Sequence, residues 1–297
     1  MKKFYLVLLF IVSCSNTSDD KSPSTSQPDA GPIVKTLVAN LATAESLTLL
    51  PDGNLVTPYN PGAVLEIKTD GSSASYASGF GANYGGGVDA LGRYYVSDWG
   101  AGQVIRINAD NSKTIIASIN QPVGVIFDAD NNMYVNSFQD NAVYKVTPIG
   151  ATSQFAFNPD GAEQLFNGPD GIVLVNDTFY TINYYDSKIV KISAGGSASL
   201  FATLPGSTTG YLTYAKGALY AASISTNKIY KISLSGDVSV FAGTGNTGTA
   251  DGKVKSASFA APNGIVASTT GDTLFVSDHQ NPGTPQRTSS IRMIIFD

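Results

Sequence analysis

The chain of 297 residues holds one histidine and one cysteine, which narrows the chemistry it can perform. A single Cys excludes an internal disulfide and any Cys-rich metal cluster. A single His excludes multi-His zinc sites and the paired histidines of an HExxH motif. What remains is oxygen-ligand and carboxylate chemistry, together with His279, which directly follows Asp278. Imidazole is the side chain whose unperturbed pKa lies near neutrality, so Asp278 and His279 are the candidate general base. The alternative reading of His279 is an ordinary polar loop histidine.

Two further series of residues recur along the chain. One series directly precedes a small residue that opens an apolar run: Glu45, Tyr84, Val123, Asp170, Thr209 and Asn263. The other closes the strand that follows: Tyr59, Asp98, Ser137, Asn183, Ser223 and Asp278. Aromatic residues come directly after several of these, at Trp99, Phe138, Tyr184 and Tyr185. Tyr59, Asp98, Trp99, Phe138, Asn183 and Tyr184 are the residues expected to bind a small molecule, a glycan or a protein partner. Two alternatives stand beside that expectation. Asp and Asn before Gly are common turn formers because their side chains bond nearby backbone, and the aromatics can serve as packing.

The elements that must position these residues repeat. A small polar residue, one or two apolar residues and then Ala recur at Ala39, Ala77, Ala117, Ala156, Ala202 and Ala242, about 40 residues apart. A second motif also occurs six times, as Val64–Ile67, Val104–Ile107, Val143–Val146, Ile189–Ile192, Ile229–Ile232 and Ser290–Met293. Upstream of each copy lie two short strands joined by an Asp/Asn/Gly turn, as in Gly124–Phe127, Asp128–Asn132 and Met133–Val135. Equivalent openings fall at Ser46, Gly85, Gly171, Gly210 and Gly264. Four antiparallel strands per repeat of this length is the arithmetic of a β-propeller blade. Strands apolar on both faces fit stacked blades better than a sandwich, whose strands alternate.

The ends complement each other. A lone fourth-strand motif at Ile33–Ala39 precedes the first three-strand unit, and the last unit ends near Met293 without a fourth strand. The expected fold is therefore all-β, a six-bladed β-propeller over residues 33–297, with the N-terminal strand completing the last blade and removing an exposed edge.

The segment Phe241–Gly252, with Phe259, Pro262-Asn-Gly-Ile265 and Leu274–Asp278, resembles an NHL-repeat blade, and Pro122–Val125 and Pro169–Ile172 repeat its opening. The region 33–297 resembles the NHL and gluconolactonase-like, senescence-marker six-bladed propellers. In the gluconolactonase-like family a Glu before the first blade, with Asn and Asp before later glycines, holds a divalent metal. Glu45, Asp170 and Asn263 match those residue types and places. The resemblance thus implies a metal site of oxygen ligands, suited to calcium or another hard divalent cation. It also implies a metal-dependent lactonase or esterase-type hydrolase as the alternative to a non-catalytic binding module.

The N-terminus has the layout of a targeting segment: Lys2 and Lys3, an apolar run from Phe4 to Val12, then Ser13 and Cys14. Ile11-Val12-Ser13-Cys14 resembles a bacterial lipobox, which implies a signal peptide over 1–13 and lipidation at Cys14. Residues 14–32 are rich in Ser, Pro and Asp and read as a flexible tether. The expectation is a monomeric lipoprotein of the bacterial cell envelope, held to the outer membrane through Cys14 and facing the periplasm or the exterior. A net charge of −5 argues against a nucleic-acid partner, because nothing supplies a row of phosphate-neutralising cations.

Overall fold

The computed structural model describes residues 31–42, 44–59, 62–161, 163–279 and 288–296. The expected signal peptide, Cys14 and nearly all of the tether lie outside the described residues. Over 31–297 the chain forms six antiparallel sheets arranged as the blades of a propeller. Blade 1 comprises Thr48–Leu49, Leu55–Tyr59, Ala63–Ile67 and Ser73–Ser78. Blade 2 opens with Asn83–Val88, blade 3 with Pro122–Phe127, blade 4 with Pro169–Val175 and blade 5 with Leu212–Ala215. Each of these carries four strands in chain order.

Blade 6 closes the ring. Its inner three strands are Pro262–Ala267, Thr273–His279 and Thr288–Ile295, and the N-terminal strand Ile33–Ala42 pairs antiparallel with the third. The sheet has a fifth strand that the repeat did not foretell: Gly252–Lys253 pairs with Ile33 and Val34 and covers the outer edge. Two interactions lock this closure. Asp251 accepts hydrogen bonds from the Thr36 backbone N–H at 3.0 Å and from Arg292 Nη2 at 2.7 Å. Fully buried Arg292 also reaches Asp278 Oδ2 at 3.1 Å and the backbone oxygens of Ser258 and Ala250 at 3.0 Å.

The core is divided into six apolar clusters, one between each pair of adjacent blades. Tyr180, Ile182 and Ile189 of blade 4 meet Leu212, Leu219 and Tyr230 of blade 5. Leu41 and Ile291 of blade 6 meet Leu47, Leu55 and Ile67 of blade 1. Six interfaces for six blades is what a closed ring requires, and it explains strands that are apolar on both faces.

The opening glycines have a steric cause. A Cβ on Gly85 would lie 2.1 Å from the Val123 carbonyl oxygen, on Gly124 2.3 Å from that of Asp170, and on Gly264 2.4 Å from that of Glu45. Each of these three glycines thus packs against the backbone of the residue that precedes the next opening. There the inner strands approach so closely that only glycine fits, and the approach draws the preceding residues toward one axis.

Candidate functional site

One cavity of about 440 Å³ sits at the mouth of the channel where these preceding residues converge. Glu45, Asp170 and Asn263, drawn from three different blade openings, all line it, and His279 joins them. Glu45 Oε2 accepts a hydrogen bond from Asn263 Nδ2 at 2.7 Å and lies 3.9 Å from His279 Nε2. His279 Nδ1 faces Ser289 Oγ at 3.5 Å. Much of the remaining lining is aromatic: Tyr84 and Trp99 from blade 2, Phe138 from blade 3, and Tyr184 and Tyr185 from blade 4. Tyr84 and Trp99 meet edge to face with centroids 5.6 Å apart, and Phe138 and Tyr185 are tilted by 57° with centroids 5.3 Å apart. Gly168 makes room for them. Its φ is +63°, and a Cβ there would lie 2.8 Å from Tyr185 and 3.1 Å from Phe138.

Tyr211 forms the floor. It follows an opening glycine in blade 5, yet its hydroxyl donates to the Tyr84 carbonyl oxygen in blade 2 at 2.8 Å. Blades 2 and 5 are opposite in a ring of six, so the phenol crosses the channel. Beneath it a second cavity of about 240 Å³ is lined by inner strands of all six blades, with Tyr211 shared between the two spaces. Burial pushes the Asp170 carboxyl up to about 7; the nearby Tyr211 hydroxyl opposes that shift and the Glu45 charge adds to it.

The backbone of these residues is held by groups that the motif search did not single out. Ser97 Oγ donates to the Val123 carbonyl oxygen at 2.6 Å, Asn136 Nδ2 to that of Asp170 at 2.8 Å, and Ser277 Oγ to that of Glu45 at 2.5 Å. Each is a buried polar residue one or two positions before the end of a second strand, reaching across to the next blade. That regular placement of Ser and Asn in apolar strands was the available signal. Tyr211 carried a signal as well: it is aromatic where Val125, Ile172 and Ile265 follow their own opening glycines.

Four expected residues lie outside the cavity. Asp98 is turned into its own loop, accepting from the backbone N–H groups of Gly81 at 2.9 Å, Ala82 at 3.2 Å and Ala101 at 3.1 Å. Asn183 is fully buried and donates to the Leu165 carbonyl oxygen at 2.7 Å. Tyr59 is half-buried and bridged to Ala44. Asp278 is fully buried, accepting from Ala260 N–H at 2.7 Å and paired with Arg292. Asp278 therefore anchors the loop and the ring closure, and His279 alone of the proposed base pair lines the cavity. Asp98 and Asp278 accept from loop backbone N–H groups and Asn183 donates to a loop carbonyl, and that local demand turns these three away from the channel.

The oxygens of Glu45, Asp170 and Asn263 are of the type a hard cation takes. Asn263 is more than nine-tenths buried, and its Oδ1 has no hydrogen-bond partner. As arranged, however, Asn263 turns its N–H toward Glu45, so the donor set fits a metal in type while that amide is engaged within the protein. Among the described residues no group of three or more His, Cys, Asp and Glu side chains is gathered closely enough to hold a metal.

No protein-family model matches the chain, and no curated protein matches it. Solved structures do. An auxiliary nutrient binding protein from Bacteroides thetaiotaomicron aligns with a TM-score of 0.73 at 14% identity, covering 89% of this chain and 76% of that one. A gluconolactonase from Xanthomonas campestris aligns with a TM-score of 0.71 at 15% identity, covering 90% and 92%. A virginiamycin B lyase from Staphylococcus aureus aligns with a TM-score of 0.62 at 18% identity, covering 91% and 97%. A binding protein, a lactonase and a lyase do not share one chemistry, and at these identities what is shared is the fold. This chain is a six-bladed β-propeller of the architecture found in gluconolactonase-like proteins.

Proposed function

We propose that the propeller is a binding module whose ligand is a small molecule held at the channel mouth, tethered to the bacterial cell envelope by a lipid on Cys14. One observation carries the reading: a cavity of ligand size is lined by a group of aromatic rings together with Glu45, Asp170 and Asn263. Pockets of about 300–1,000 Å³ lined by apolar and aromatic groups with a few convergent polar atoms are the usual form of small-molecule sites. The aromatic side supplies contact area at low entropic cost, and the polar side supplies orientation. The fold likeness to an auxiliary nutrient binding protein is consistent with this. The anchor rests on the lipobox-like run before Cys14.

The test is calorimetric titration of the soluble chain from residue 31 with a panel of monosaccharides, lactones, aryl alcohols and arylalkylamines. Saturable one-to-one binding that is lost in Trp99→Ala/Tyr184→Ala is expected. Binding unaffected by that double change, or no binding across the panel, would sink the proposal. For the anchor, an alkyne fatty acid should label the wild type in cells and leave Cys14→Ser unlabelled.

A second reading, a metal-dependent hydrolase, is favoured by the convergence of Glu45, Asp170 and Asn263 on one cavity. Glu45, Asp170 and Asn263 would hold the cation, which when bound supplies polarisation of a substrate carbonyl and acidification of water. His279, 3.9 Å from Glu45, is the residue of this chain placed to move a proton. Chelator-sensitive turnover of a lactone or ester, lost in His279→Ala, would favour it over simple binding.

A further inference from the structure

The charge pattern of the cavity narrows what it would hold. Among the described residues lining it there is no Lys or Arg, while Glu45 and Asp170 both reach it. Among these residues an anionic ligand such as a carboxylate or phosphate would meet two acids, with His279 as the one group able to carry positive charge. Asn263 already spends an N–H on Glu45.

The remaining wall points the same way. Tyr84, Trp99, Phe138, Tyr184, Tyr185 and Tyr211 make an aromatic surround. Aromatic faces carry the negative side of the ring quadrupole, so they attract an organic cation and most strongly one stripped of water. A bare divalent ion would use the carboxylates but gain little from six apolar rings. A cation with an organic body would use both sides at once.

We propose that the channel mouth is a site for an organic ammonium ion bearing an aromatic or bulky apolar group, its charge met by Glu45 and Asp170 and its body by the Trp99, Phe138 and Tyr184 rings. This rests on the binding reading above and specifies the chemical class of the ligand.

Trp99 is the only tryptophan in the chain and it lines the cavity, so its emission reports occupancy directly. The chain from residue 31, treated with chelator, is titrated at neutral pH with phenethylammonium, with its neutral isostere 2-phenylethanol, with glucose and with calcium. Phenethylammonium is expected to change Trp99 emission saturably and to bind about tenfold or more tighter than 2-phenylethanol. Glu45→Gln/Asp170→Asn should bring the two affinities together, through a loss of at least about tenfold for phenethylammonium. Asp170→Asn alone, which keeps shape and hydrogen-bonding capacity, carries the comparison if the double variant does not fold. Equal affinities for amine and alcohol, or tighter binding of glucose, would overturn the ammonium proposal and leave the binding reading intact. A response to calcium with none to the amine would overturn it in favour of a metal site. No response to any of the four would overturn both.

Discussion

At the residue scale the site depends on one carboxyl that is uncomfortable when charged. Asp170 is buried beside Tyr211 and Glu45, and burial raises its carboxyl to about 7. Between the unfolded value and about 7 the folded chain binds a proton that the unfolded chain releases, so this group's contribution to stability falls as pH rises through that window. Above about 7 the cost is fully present. Asp170→Asn is therefore expected to raise Tm at pH 8, corresponding to about 1–3 kcal/mol, and to change it little at pH 4. Thermal melts of both proteins across pH 4–8 check this, and a shift independent of pH would contradict the assignment. Gly168 makes a second prediction at this scale. Its left-handed φ and the ring atoms waiting for a Cβ make Gly168→Ala costly, by about 1–3 kcal/mol, and the displaced Phe138 and Tyr185 should weaken panel binding at the same time.

At the scale of elements, the repeat was legible because every blade solves the same packing problem with the same residues. Inner strands touch through backbone at their opening glycines, so glycine recurs, and both faces of each strand are covered, so apolar runs recur. Gly124→Ala should accordingly cost about 2 kcal/mol or more, since its Cβ would stand 2.3 Å from the Asp170 carbonyl oxygen. Chemical denaturation measures it, and an unchanged midpoint would contradict the steric reading. The convergence of Glu45, Asp170 and Asn263 followed from the same periodicity. What periodicity could not convey is side-chain direction at strand ends, where Asp98, Asn183 and Asp278 answer to loop backbone beside them. Nor could it convey Tyr211, whose partner Tyr84 lies across the ring and 127 positions away, or Arg292, which sits in the same motif as Lys145 and Lys191 but is buried by a loop present only in the last blade.

At the scale of the molecule, a closed ring has no weak seam only if its first strand stays in place. Ile33–Ala42 supplies the fourth strand of blade 6 and is tied through Asp251 to Arg292. Deleting residues 31–42 should abolish soluble expression or lower Tm by about 10 °C or more, because it opens an edge and strips an apolar cluster. Arg292→Ala should lower stability by about 3–5 kcal/mol by leaving Asp278 buried without its partner. A truncated chain that melts like its parent would mean the ring is not closed by this strand.

The binding site is the part of this picture most directly open to measurement, since Trp99 alone can be labelled with fluorine by growth on 5-fluorotryptophan. A single ¹⁹F resonance would then watch the aromatic wall of the channel mouth while a ligand is added. If the cavity is the binding site, phenethylammonium, or any panel member that calorimetry shows to bind, shifts that resonance saturably, with a dissociation constant equal to the calorimetric one. A resonance that stays fixed while calorimetry records saturable binding would place the ligand elsewhere on the propeller and contradict the assignment.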